Sequence, residues 1–192
     1  FYLAFKEIFH SKGRYLLIAA IVALITTLVL FIAALAEGLG DGNREYLEKL
    51  NGELIVYQDN VDLSISASRL GRSTLAEVRR VEGIEEAGQI NFTATTLVFP
   101  NGQEPLDVSL VGVEPGKPGE PPAFDGEGLS RDRANEAVLD RNTALRADLK
   151  VGDTIIVKST QGTEEEQYPL TVVGISDGRQ FFLQPSVFVP MQ

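Results

Sequence analysis

Between Arg14 and Glu37 the chain carries no charge. The run YLLIAAIVALITTLVLFIAALA, Tyr15 to Ala36, is 22 residues long. As a helix it spans roughly 33 Å, against the roughly 30 Å of bilayer hydrocarbon. A signal-peptide apolar core is shorter, about 7–15 residues. Ala34-Leu35-Ala36 has the small-x-small form that a signal peptidase cuts, but the length predicts a retained transmembrane helix bounded by Tyr15 and Ala36. A soluble core helix would show a polar face. Here only Thr26 and Thr27 interrupt the aliphatic run, and such hydroxyls bond back to backbone carbonyls.

Charge sets the expected orientation. Lys6, Lys12 and Arg14 against Glu7 give a net +2 ahead of the span, which leaves −12 for the remainder of a chain of −10. Basic flanks stay in the cytoplasm, so the N-terminus is predicted inside and Glu37 onward outside. That acidity repels phosphate and argues against a nucleic-acid partner.

Residues 1–14 read as a cytoplasmic elbow. Phe1, Phe5, Ile8 and Phe9 fall on one helical face, with Lys6, Glu7 and Lys12 elsewhere, the pattern of a short helix lying in the inner interface. A plain cytosolic tail is the other reading. His10 reads as a solvated polar residue. Beyond the span, Gly38, Gly40 and Gly42 lie in a helical extension that runs to about Leu50 and closes at Asn51-Gly52. They lack the preceding strand and third glycine of a dinucleotide fingerprint, and are expected to mark a helix bend.

About 155 residues remain outside, enough for one domain or two small lobes. No cysteine is present, so neither disulfides nor thiol chemistry is available. Residues 53–113 predict strand, helix, strand, strand. The elements are ELIVY, a helix through RSTLAEVRRVEGIEEA capped by Ser73 with Leu75 and Val78 on one face, and INFTATTLVF with LDVSLVGV joined at Pro100-Asn101-Gly102. Residues 114–128 read as a Pro/Gly linker. Their Gly116-Lys117 is no phosphate loop, because Val111 and Pro118 stand where Gly and Ser/Thr are required. Residues 129–192 predict a second small lobe: a strand at Ala137–Leu139, a helix from Asn142 to Leu149 with Leu145 and Leu149 inward, strands TIIVKS and YPLTVVGI, and a final strand SVFVP. Glu164-Glu165-Glu166 reads as a solvated strand edge, since adjacent strand residues face opposite ways and cannot chelate together. Asn91-Phe92-Thr93 forms a sequon, taken as chance.

The chemistry inventory is short. Beyond the span there is no His and no Cys, so the usual nucleophile–base pairs and zinc sets are missing. The chain reads as non-enzymatic, with no catalytic, metal or cofactor residues.

Several stretches resemble one family in order along the chain. LAFKEIFHSKGRYLLIAAIVAL is similar to the elbow and first transmembrane helix of MacB/FtsX/LolC-type ABC permeases. VEGIEEAGQI and LVGVEPG resemble strand boundaries of that family's extracytoplasmic porter lobe. AVLDRNTALRADLKVGDTIIV resembles its strand–short helix–Leu-x-Val-Gly-Asp–strand segment, and LTVVGISDGRQFFLQPSVFVPM its closing hairpin. SKGRYLLI, LAEGLGDGNRE and LSISASRL look most like the haem-efflux type; no haem ligands are carried over. The absent initiator methionine and the end at Gln192 are read as those of a fragment.

The resemblance implies an α+β fold: elbow helix, one transmembrane helix, a porter-like βαβ lobe and a small mainly-β lobe. It further implies a bacterial inner-membrane permease working as a dimer with a partner ABC ATPase that holds the ATP. The long helix would pass ATP-driven movement outward by mechanotransmission, exporting or extracting an amphiphilic or apolar substrate from membrane lipid. Two other readings stay open on sequence alone. One is a single-span anchored interaction module without an ATPase. The other is an anchored hydrolase, which needs a buried carboxylate pair in a cleft.

Overall fold

The computed structural model describes residues 12–61, 65, 67–100, 102–130, 135–161, 164–177 and 184–191, with the backbone alone at 39–48, 159–161 and 164–165. The elbow positions Phe1, Phe5, Ile8 and Phe9 lie outside these residues. The chain divides into two compact units, one up to Asp41 and one from Gly42 onward. Helix α1, Lys12–Glu48, begins in the first and ends in the second. Thr26 Oγ1 donates to the carbonyl of Val22 at 2.9 Å, so the hydroxyl is satisfied within the helix.

The second unit is built on seven strands: β1 (Ile90–Val98), β2 (Leu106–Val113), β3 (Ala123–Gly126), β4 (Glu136–Asp140), β5 (Thr154–Gln161), β6 (Glu164–Ser176) and β7 (Ser186–Pro190). Their order is β3-β6-β4-β7-β2-β1-β5, and β5 also pairs with β6. Six strands therefore close into a ring, β6-β4-β7-β2-β1-β5, which removes the open edges that invite aggregation. The seventh, β3, lies along the C-terminal part of β6. Two pairings are parallel, β2 with β7 and β4 with β6.

Alternation along the strands sorts the core into two faces. Inside the ring, Leu97, Val108, Leu139, Ile155, Leu170, Val172 and Val187 meet, with all six ring strands contributing. On the outer face Val111, Val113, Val138 and Phe188 cluster with Leu129, and half-buried Leu50, Ile65, Ile90 and Phe92 pack against them.

Residues 53–113 and 129–192, expected as separate lobes, thus supply strands to one sheet. The stretch 114–128, expected as a linker, is folded against the barrel: Pro115, Gly119 and Pro121 are buried and β3 lies within it. Its prolines and glycines encode tight turns, with Gly116, Gly119 and Gly126 at positive φ. The single carboxylate of Glu120 accepts from the amides of Gly116 (2.6 Å) and Leu129 (2.9 Å), drawing the loop's ends together.

Three local expectations are corrected. ELIVY forms no ladder and leaves Leu54, Ile55 and Val56 exposed, because β-branched composition makes a strand only where a partner is available. Helix α2 is only Arg72–Val78, and its N-cap is Gly71 rather than Ser73. The remainder of its expected length turns back, with Arg79 donating through Nε and Nη2 to the carbonyl of Ala87. Helix α3 is Arg141–Arg146, capped by Asp140, whose Oδ2 accepts from the amide of Asn142 at 2.9 Å. It ends with Asp148 at positive φ and the amide of Leu149 bonded to the carbonyl of Ala144, a Schellman closure. That closure turns Thr143, Ala144, Ala147 and Leu149 inward and leaves Leu145 73% exposed. A helix of six residues that ends at Arg146 stops before residue 149, so residues 145 and 149 do not share a helical face.

The Leu-x-Val-Gly-Asp motif now has a physical reason. Gly152 takes positive φ, Asp153 Oδ2 accepts from the amide of Lys150 at 2.7 Å, and Gly152 and Asp153 exchange backbone bonds with Val172 of β6. Replacing Phe188, 1% exposed, by alanine is expected to cost about 3–5 kcal/mol. Leu145→Ala is expected to stay within about 0.5 kcal/mol. Chemical denaturation of both variants checks this assignment of faces.

Candidate functional site

The feature with the clearest functional content is the apolar surface of α1. From Lys12 to Gly38 the helix is long and apolar enough to cross a membrane, and none of its most apolar window is buried within the protein. Tyr15 and Ala36, the predicted limits of the span, both lie in this stretch, and every side chain between them faces outward. Side chains such as Leu16, Leu24, Val29 and Phe31 have no protein partner to bury them, so in water the helix would be costly. Gly38, Gly40 and Gly42 follow within α1. An added Cβ at Gly38 would meet nothing within 4 Å, so close packing does not explain that glycine.

In the second unit, a cleft of about 370 Å³ lies where the chain has left α1. Asn51, Glu86, Lys117, Pro118 and Glu120 are among its lining residues. Lys117 Nζ pairs with Glu86 Oε1 at 2.9 Å, and beside it Arg79 Nη2 pairs with Glu114 Oε2 at 2.6 Å. Both carboxylate oxygens of Glu120 are taken by backbone amides. The cleft therefore presents satisfied charges and proline rings rather than a reactive group.

The buried hydroxyls are committed to structure. Thr143 Oγ1 donates to the carbonyl of Ser186 at 3.0 Å, and Ser176 Oγ to that of Leu139 at 3.3 Å. Buried Glu136 accepts from the amide of Ser130 at 2.8 Å. Among the described residues no group of three or more His, Cys, Asp or Glu is placed to hold a metal ion. At the surface, Arg141 stacks over Phe124, 4.6 Å from the ring centroid, and pairs with Asp177. On β6, Glu166 accepts the hydroxyl hydrogen bond of Tyr168. Sequence reasoning missed the Glu120 clasp and the cleft. The signal was a carboxylate flanked directly by glycine and proline, Gly119-Glu120-Pro121, in a stretch whose backbone amides have no regular ladder to join.

A lipid-length apolar helix followed by a closed mixed barrel is compatible with a protein that spans a membrane once and carries a folded domain beside it. The sequence profile of the MacB-like periplasmic core domain matches from residue 15 to residue 192, and the chain belongs to that family. It is similar to the permease of Staphylococcus haemolyticus named for hemin transport, HrtB: 31% identical over 162 residues, 81% of this chain and 42% of that protein. A Staphylococcus epidermidis protein of the same name is 34% identical over 79 residues, 41% of this chain and 23% of that one. The chain thus spans less than half the length of these curated relatives. Among solved structures, the extracellular domain of the noncanonic ABC-type transporter YknZ from Gram-positive bacteria superposes with a TM-score of 0.46 at 12% identity, covering 63% of this chain and 62% of that one. The periplasmic region of MacB from Actinobacillus actinomycetemcomitans gives 0.46 at 16% identity, covering 64% and 55%.

Tyr168 offers a pH test of the barrel surface. Its hydrogen bond to Glu166 and the carboxylate's charge both raise its pKa above the usual 10.0. The pair's stabilisation is present below that value and is lost as pH rises through the folded pKa. In an ultraviolet titration with Tyr168→Phe as reference, Glu166→Gln is expected to lower the Tyr168 midpoint. An unchanged midpoint would remove the pairing.

Proposed function

We propose that this chain is the first-helix and extracytoplasmic part of an ABC permease, one that couples ATP hydrolysis on a partner ATPase to movement of an amphiphilic substrate. The observation that carries the reading is one family match running from within the apolar helix to the end of the barrel, which supports reading helix and barrel as parts of one permease. The basic residues before Tyr15 and the acidic remainder support an N-terminus in the cytoplasm and a barrel outside.

In this mechanism two permease subunits sit on ATPases at the inner face of the bacterial cell membrane. The segment before Lys12, whose sequence places Phe1, Phe5, Ile8 and Phe9 at the spacing of an interfacial elbow, would receive the movement of the ATPases. Helix α1 passes it outward, because a hydrogen-bonded helix transmits a rigid rotation. Gly38, Gly40 and Gly42, poor helix stabilisers just past the predicted lipid boundary, set where it bends. No reacting group is required of this chain, and the ATP lies on the partner. Hemin, for which the relatives are named, is itself amphiphilic, which supports that substrate class.

Replacing Gly38, Gly40 and Gly42 together by alanine is expected to stiffen the segment and to lower transport per ATP hydrolysed severalfold in the reconstituted full-length complex. If transport and ATP turnover stay at parental levels, the bend has no functional role. If no ATPase co-purifies with the full-length protein from its native membrane, the permease reading itself fails.

A further inference from the structure

The chain leaves α1 at Glu48, already inside the second unit, and within four residues is packed on that unit's own barrel. Leu50 is half-buried against the outer-face cluster of Val111, Val113 and Phe188. Asn51 lines the cleft with Glu86 and Lys117. Gly52 faces Pro118 so closely that a Cβ at Gly52 would lie 3.8 Å from the Pro118 Cβ. Pro118 in turn stands on a braced loop. Residues 114–122 hold four prolines, at 115, 118, 121 and 122, which fix φ at each position. The loop is tied at one side by Arg79–Glu114 and Lys117–Glu86, and at its base by Glu120 on the amides of Gly116 and Leu129. The Pro118 carbonyl is pressed onto Gly88, where an added Cβ would sit 2.0 Å away.

We infer that loop 114–122, through Pro118 and the Glu120 clasp, is a rigid abutment that fixes the segment leaving α1 to the barrel, so that bending is confined to the helix before residue 49. Leu50 contributes burial, but an apolar contact alone can slide. The proline loop adds a stop, and three independent ties keep that stop in place. Glu120 and Pro118 are therefore positioning residues. The consequence for coupling rests on the permease reading above, whereas the abutment itself is a property of the barrel unit.

The two are tested separately. Gly52→Cys with Pro118→Cys, as sole cysteines in the full-length membrane protein, meet the Cβ spacing of a disulfide. Under a mild oxidant the bond is expected to close nearly completely, read by loss of both thiols in intact mass. Adding Glu120→Ala is expected to slow closure at least about fivefold, with the barrel's melting transition retained. Lys117→Ala, which breaks only a surface pair, gives a smaller slowing and serves if Glu120→Ala fails to fold. Poor closure in the parent pair, or closure insensitive to both loop variants, overturns the abutment. In the reconstituted complex the oxidised protein is expected to transport within twofold of its reduced form. A block by oxidation that reductant reverses would mean the joint must open, and would overturn the rigid coupling while leaving the permease reading intact.

Discussion

The barrel depends on one strand changing partners. Over Glu164–Thr171, β6 pairs with β5; over Thr171–Ser176 it pairs with β4 on its other side and with β3. Since β5 also pairs with β1, this handover at Thr171 closes the ring. Without it the sheet would have two long edges and the inner cluster would lie open to water. Gly126 and Gly174 permit the handover: a Cβ at Gly174 would fall 2.3 Å from the Glu127 carbonyl, and one at Gly126 2.3 Å from that of Val173. The Leu-x-Val-Gly-Asp turn docks at the same place through Val172, so this turn sits where the ring closes.

Closure explains why the loop at 114–122 has something firm to rest on. A closed ring resists the shear that an open sheet accommodates, and a loop braced to it by charge and by backbone acceptors shares that stiffness. Helix α1, by contrast, exposes aliphatic side chains along its apolar length and is long and apolar enough to cross a membrane. The chain thus combines a helix of membrane-spanning length and apolarity with a barrel that has its own buried core. A permease of the proposed kind needs both, because force delivered to a soft domain would be lost as deformation.

Much of this was legible in the sequence, and the limits were physical. Tyr15 to Ala36 announced itself by length, and INFTATTLV, LDVSLVGV and SVFVP by alternation or β-branching, since those signals are local. The parallel pairings of β2 with β7 and β4 with β6 join residues far apart, and no local pattern encodes them. Residues 114–128 looked like a linker because Pro and Gly mark both flexible chain and tight turns. Only the buried Pro115 and Pro121 and the Glu120 clasp tell them apart. Leu145 was assigned inward by helical spacing from Leu149, but a helix that ends at Arg146 no longer obeys that spacing. ELIVY had strand composition without a strand partner.

In the permease mechanism proposed above, this chain would convert ATP-driven movement into displacement of an otherwise rigid barrel. That conversion is tested most directly by spin labels at Leu145, an exposed position on the barrel unit, in the full-length dimer reconstituted with its ATPase. The distance between the two labels would be measured by pulsed electron resonance, without nucleotide and then trapped with ATP and vanadate. Trapping is expected to shift the whole distribution, with its width unchanged because each barrel moves as a body. The same distribution in both states would contradict that mechanism.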